Sequence, residues 1–139
     1  MGNANSIRKI NFEDMQKAVE KKNFTIISTL KSVNQKCLIK NTTPIDDEES
    51  ILNESINKNM NRKIIIYGLN ACDESVHNKY KQLMGLGLHN LYIYPGGLFE
   101  WLLLQDIYGF DLFPTTVIEL DHLKFKGSQI IDILMITDY

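Results

Sequence analysis

A single α/β domain with a mostly parallel central sheet flanked by helices is the fold this sequence predicts, and three observations predict it. Ile64, Ile65 and Ile66 form a continuous β-branched run, the pattern of a central strand covered on both faces. Val76, Tyr80, Leu83 and Met84 then recur at helical spacing and give one apolar stripe that can pack on a sheet. Residues 91–94 supply a second apolar run, after which Pro95, Gly96 and Gly97 turn the chain. A strand, a helix and a strand in that order form a βαβ unit, whose two strands lie parallel. At 139 residues the chain has the size of one domain.

Composition narrows the class further. An apolar fraction of 44% and a charged fraction of 23% are those of a globular chain able to bury a core. A net charge of −2, with aromatic residues scattered rather than interleaved with basic ones, gives no reason to expect nucleic-acid binding. Cys37 and Cys72, in a chain without a secretory apolar segment, point to free thiols in a reducing, cytoplasmic setting. No apolar run approaches the roughly 18 to 20 residues needed to cross a bilayer.

At the N-terminus, Gly2 followed by Ser6 fits the N-myristoylation pattern, so Gly2 is a candidate lipidation site. Residues 1–10 are accordingly read as a flexible segment ahead of a domain over residues 11–139. One acyl chain gives only reversible attachment, and Arg8 and Lys9 are a weak second signal for a membrane surface. Peripheral attachment to the cytoplasmic face of a membrane is the resulting expectation.

Asn11 is placed to cap a first helix with Phe12, Met15, Ala18 and Val19 on its apolar face. Residues 24–30 read as a buried strand and residues 37–42 as a second, short one. Pro44 with Asp46, Asp47, Glu48 and Glu49 opens a helix, because carboxylates in the first turn suit the positive end of the helix dipole. Polar residues 53–62 then read as its exposed end and a linker. Phe99, Trp101, Leu102 and Leu103 enter another helix after the Gly-Gly turn. Residues 108–114 are aromatic and turn-rich, and are expected to fold back over the core, with an exposed apolar patch for a partner as the alternative. Thr116 and Glu119 have the spacing of a capping box, which predicts a short helix to Lys124. Residues 129–136 are apolar and fit either a helix or a strand.

The segment Gly68, Leu69, Asn70, Ala71, Cys72, Asp73, Glu74, Ser75 joins the isoleucine run to the following helix. Such a loop converges backbone N–H groups, an arrangement in which many α/β proteins hold an anion or a reactive sulfur. Around it, IIIYG and then LGLHNLYIYPGGLFEW resemble the rhodanese, or sulfurtransferase, family, with the spacing of Gly96, Gly97 and Trp101 the most specific part. The resemblance implies a rhodanese-like three-layer fold over most of the chain. It also implies a catalytic cysteine directly after the strand, an aspartate after the first strand and a basic residue in the loop. Here Gly68 stands at the cysteine's place, Ser28 to Lys31 include no aspartate, and no Lys or Arg lies between Gly68 and His77. The phosphatase branch of the same fold would need a cysteine and an arginine in this loop, which has neither at those places.

Cys72 is the one alternative nucleophile, for sulfur transfer or thiol redox chemistry. Asp73 and Glu74 set negative charge beside it, which opposes a thiolate and repels anionic substrates. His77, His89 and His122 share no triad or ligand spacing, so neither a metal nor a cofactor is expected. Cys37 reads as core, and Gly96-Gly97, lacking the rest of a dinucleotide fingerprint, as a structural turn. The reading that results is a catalytically inactive rhodanese-like module that binds a protein partner. An enzyme using Cys72 and a structural component of a larger assembly are the alternatives.

Overall fold

The computed structural model describes residues 6–129 and residue 131. Gly2 and most of residues 129–136 therefore lie outside the described residues. At the centre is β2, Ile64–Tyr67, which pairs in parallel with β1, Thr25–Ser28, on one side and with β3, Leu91–Ile93, on the other. Ile65 stands opposite Ile26 and Tyr92 in this register. All four residues of β2 are buried, as the unbroken β-branched run predicts for a strand covered on both sides.

Strand alternation assigns the side chains to two layers. Ile26, Ile65 and Tyr67 pack with α1, Phe12–Lys21, and α4, Gly97–Tyr108. Ile27, Ile64, Ile66 and Ile93 pack with α2, Ile45–Lys58, and α3, Ser75–Gly85. The result is a three-layer α/β sandwich, the architecture expected from the sequence. α1 begins where Asn11 predicts: the Asn11 side chain accepts the Asp14 N–H at 3.0 Å, and the Asp14 carboxylate accepts the Asn11 N–H at 3.2 Å.

Both edges of the sheet differ from expectation. Residues 37–42 form no strand; they make single pairs, Thr42 with Ile26 and Ile39 with Thr115. Asn41 has φ 71° and turns the chain, so no ladder can propagate. The segment is fixed by a side chain instead: Tyr67 Oη accepts the Ile39 N–H at 3.1 Å and donates to Thr42 Oγ1 at 2.6 Å. On the other edge Lys9 pairs with Ile93, with the Ile93 N–H donating to Arg8 O at 2.8 Å. The Arg8 guanidinium lies 4.3 Å from the Tyr92 ring centroid and donates to His89 O at 2.7 Å. The segment read as flexible through residue 10 is thus attached from Arg8 onward. That arginine bonds the turn before β3 while remaining exposed.

The helix expected from Thr116 to Lys124 is absent, because both of its capping residues are engaged elsewhere. Thr116 Oγ1 accepts the Leu38 N–H at 3.0 Å, while Glu119 pairs with Lys124 at 2.6 Å. Only a 3₁₀ turn, His122–Phe125, forms there. Residues 108–114 fold back in part: Phe113 is buried against Trp101, with ring centroids 5.0 Å apart, while Tyr108, Phe110 and Leu112 are exposed. Among the described residues no helix is long and apolar enough to cross a membrane.

Candidate functional site

The loop of residues 68–75 leaves the carboxyl end of β2, where open α/β sheets place their ligands. Its sequence folds it onto itself. Asn70 accepts the Cys72 N–H on Oδ1 at 2.9 Å, and its backbone carbonyl accepts the Asp73 N–H at 3.2 Å. The Asp73 carboxylate then reaches back across the loop. Its Oδ2 accepts the Leu69 N–H at 2.9 Å, and its Oδ1 accepts the Ser75 N–H at 3.0 Å and the Ser75 hydroxyl at 2.6 Å. Ser75 Oγ also lies within hydrogen-bond distance of Thr29 Oγ1, 2.8 Å away.

Gly68 has no room for a side chain unless Asp73 and Val76 shift. A Cβ there would lie 2.5 Å from Asp73 Oδ2 and 2.6 Å from Val76 Cγ2. The carboxylate therefore stands in the space into which a nucleophile at position 68 would extend. Asp73 was legible in the sequence only as a charge beside Cys72. Its role as a loop acceptor depends on a turn that brings a side chain back to an amide four residues earlier.

The loop is also joined to α4. The Leu98 and Phe99 N–H groups, among those that the first turn of a helix leaves without intrahelical partners, donate to Gly68 O at 2.9 Å and Leu69 O at 2.8 Å. Gly97 makes this approach possible. It has φ 68°, and a Cβ on it would come 2.6 Å from Gly68 O and 2.9 Å from Asn70 N. The structural reading of the Gly-Gly turn holds, and its reason lies in the loop against it. Glu100, also in the first turn of α4, accepts a short hydrogen bond from the buried Tyr94 hydroxyl, and burial with that carboxylate beside it pushes the Tyr94 phenol well above its ordinary value.

The C-terminal part of the chain closes the loop in a way the sequence did not signal. Asn70 Nδ2 donates to Phe125 O at 2.9 Å, Phe125 is buried in the core, and a Cβ on Gly127 would lie 3.2 Å from Cys72 Sγ. Cys72 itself is an exposed free thiol, while Cys37 is buried, its thiol pushed up first by burial and then by Glu119. Beside the loop a cleft of about 340 Å³ opens between α2 and α3, walled partly by Ser75 and Thr29. The lysine on its wall, Lys79, is held by Glu48 at 2.6 Å. Of the three histidines, His89 Nε2 lies 2.7 Å from Asn61 Oδ1, a surface hydrogen bond of the kind expected. No group of three or more His, Cys, Asp and Glu side chains placed to hold a metal occurs among the described residues.

No protein-family model and no curated protein matches the chain. Solved structures do. The solution structure of the rhodanese-like domain of the Alr3790 protein from Anabaena sp. superposes with a TM-score of 0.57 at 20% identity, over 90% of this chain and 89% of that one. A crystal structure of the Alr3790 protein gives 0.56 at 22% identity, over 83% and 86%. At that identity the likeness carries the architecture and not the chemistry. The parallel sheet, its flanking helices and these superpositions agree: the chain has a rhodanese-like fold.

Proposed function

We propose that the protein is a catalytically inactive rhodanese-like module whose role is to bind a protein partner. One observation carries this reading: the position after β2 is Gly68, and the Asp73 carboxylate fills the space a nucleophilic side chain there would need. Sulfur transfer requires a thiolate that takes the sulfane sulfur and holds it as a persulfide among N–H donors. Two N–H groups of this loop already donate to a carboxylate.

The alternative through Cys72 is supported by its exposure and opposed by its surroundings. Its own N–H donates to Asn70, and the two carboxylate residues that follow repel thiosulfate. A thiosulfate–cyanide assay on wild type and Cys72→Ser decides between them. The expected outcome is background turnover for both, and Cys72-dependent turnover would overturn the module reading.

Partner binding is supported by the exposed apolar side chains at the end of α4 and beyond it, among them Ile107, Ile118, Leu120 and Leu123, whose burial would still be favourable. Membrane attachment, the other part of the proposal, rests on acylation of Gly2 with Lys9 as a weak second signal, since Arg8 bonds His89 and Asn90, so it would be transient. Intact-mass measurement after co-expression with a myristoyltransferase is expected to show acyl addition that Gly2→Ala abolishes. Unmodified wild type would remove the membrane from the proposal.

A further inference from the structure

We infer that Asp73 is a built-in occupant of the loop, a carboxylate held where an external anion would otherwise sit, so that the emptied site excludes anions as well as lacking a nucleophile. This deepens the module reading and rests on it, since it concerns the same vacated loop.

Three observations converge. First, both oxygens of the Asp73 carboxylate are engaged, on the Leu69 N–H at one side and on the Ser75 N–H and hydroxyl at the other. These are charge-assisted bonds to donors that an incoming oxyanion would have to share. Second, the carboxylate is packed into the loop rather than hanging over it, because a single carbon added at Gly68 would meet it at 2.5 Å. Third, the nearest donors on α4 are occupied as well. The first N–H groups of α4 that face the loop, those of Leu98 and Phe99, are taken by Gly68 O and Leu69 O. The Glu100 carboxylate lies against Gly96 beside them, held by the Tyr94 hydroxyl. An anion approaching this end of the sheet therefore finds Asp73 in place, with the exposed Glu74 adding like charge beside it.

Amide-resolved NMR titration tests the inference and reads anion occupancy rather than turnover, so it fails separately from the assay of Cys72. Labelled wild type, Asp73→Ala and Asp73→Asn are titrated with sodium thiosulfate and with sodium sulfate, against sodium chloride at matched ionic strength. The Leu69 and Ser75 N–H signals are followed. Wild type is expected to shift no more than with chloride, whereas Asp73→Ala gives saturable shifts at those two amides, with affinity at least about tenfold above any wild-type value. Asp73→Asn keeps an acceptor in the loop while removing its charge. It is expected to fall between the two, and it carries the comparison should Asp73→Ala not fold. Saturable thiosulfate binding by wild type at these amides overturns the inference. So does an absence of binding in folded Asp73 variants, which would mean that the vacated loop was never an anion cradle.

Discussion

In the loop of residues 68–75 the Asp73 and Asn70 side chains turn inward: Asp73 accepts from Leu69 and Ser75, Asn70 bonds Cys72 and Phe125, and the carbonyls of Gly68 and Leu69 accept from α4. Between Ile107 and Leu123 the opposite holds. There the backbone is pinned from inside, by Trp101 Nε1 donating to Pro114 O at 3.0 Å and by Gln105 Nε2 donating to Phe113 O at 2.8 Å, while apolar side chains face outward. The loop leaves the carboxyl end of β2, where open α/β sheets place their ligands, yet its Asp73 and Asn70 side chains are satisfied within the chain. The later stretch retains apolar surface whose burial would still be favourable. Under the proposed partner-binding role, the difference places the available apolar surface away from the loop of residues 68–75.

The comparison breaks most sharply at Gly97. A side chain there must adopt φ 68° and must push back Gly68 O, so Gly97→Ala combines left-handed backbone strain with overpacking. A loss of about 3 kcal/mol in urea-unfolding free energy is expected. A loss below about 1 kcal/mol would show that the loop is not held against α4 as described. Asp73→Ala comes next. It leaves the Leu69 N–H, the Ser75 N–H and the Ser75 hydroxyl without their acceptor, at an expected cost of about 1 to 3 kcal/mol in the same measurement. An unchanged midpoint would mean that water replaces the carboxylate without loss.

Alkali separates the two regions in a different way. Tyr67 and Tyr94 flank the loop at the ends of β2 and β3, and both phenols are pushed up from an ordinary value of 10.0, by burial first in each case. Each retains its proton in the folded state at a pH where the unfolded chain has lost it. Stability is therefore fully present below the ordinary value and falls as pH rises from there toward the folded value, by about 1.4 kcal/mol per pH unit for each group. Glu119, in the later stretch, is held low by its hydrogen bond from Lys124, so its contribution is present above the ordinary carboxylate value and is lost as acid passes the folded one. Both Glu119 and Lys124 are open to solvent, so that acid limb is shallow and weakens with salt. Urea titrations across pH are expected to show the steeper loss on the alkaline side, and a symmetric profile would contradict the burial of the two phenols.

Much of the frame was legible in the sequence. The isoleucine run gave β2, the stripe from Val76 gave α3, and Asn11 gave the start of α1, because each is a local pattern that burial or capping reads directly. The failures share a cause. Thr116 and Glu119 look like a cap only until Leu38 and Lys124 take them, and residues 37–42 look like a strand only until Asn41 turns and Tyr67 ties them down. At the site, Gly68 was visible at the place where the resemblance implies a cysteine. The position of the Asp73 carboxylate beside it was not, because a bond from Leu69 to Asp73 is set by the loop's three-dimensional path. The closing contact from Phe125 spans 55 residues and leaves no periodic trace.

The smallest expected effect concerns the later stretch. Ile118 is 70% exposed and Leu120 85% exposed, so replacing both by serine removes little that the fold buries. The double variant Ile118→Ser, Leu120→Ser is expected to keep its unfolding free energy within about 0.5 kcal/mol of wild type for each change, as exposed positions generally do. It is nonetheless expected to bind a hydrophobic dye less strongly, because two of the apolar groups that offer a surface are gone. Were stability to fall instead as far as in Gly97→Ala, these side chains would be supporting the core. The contrast between a self-satisfied loop and an unsatisfied surface would then be lost.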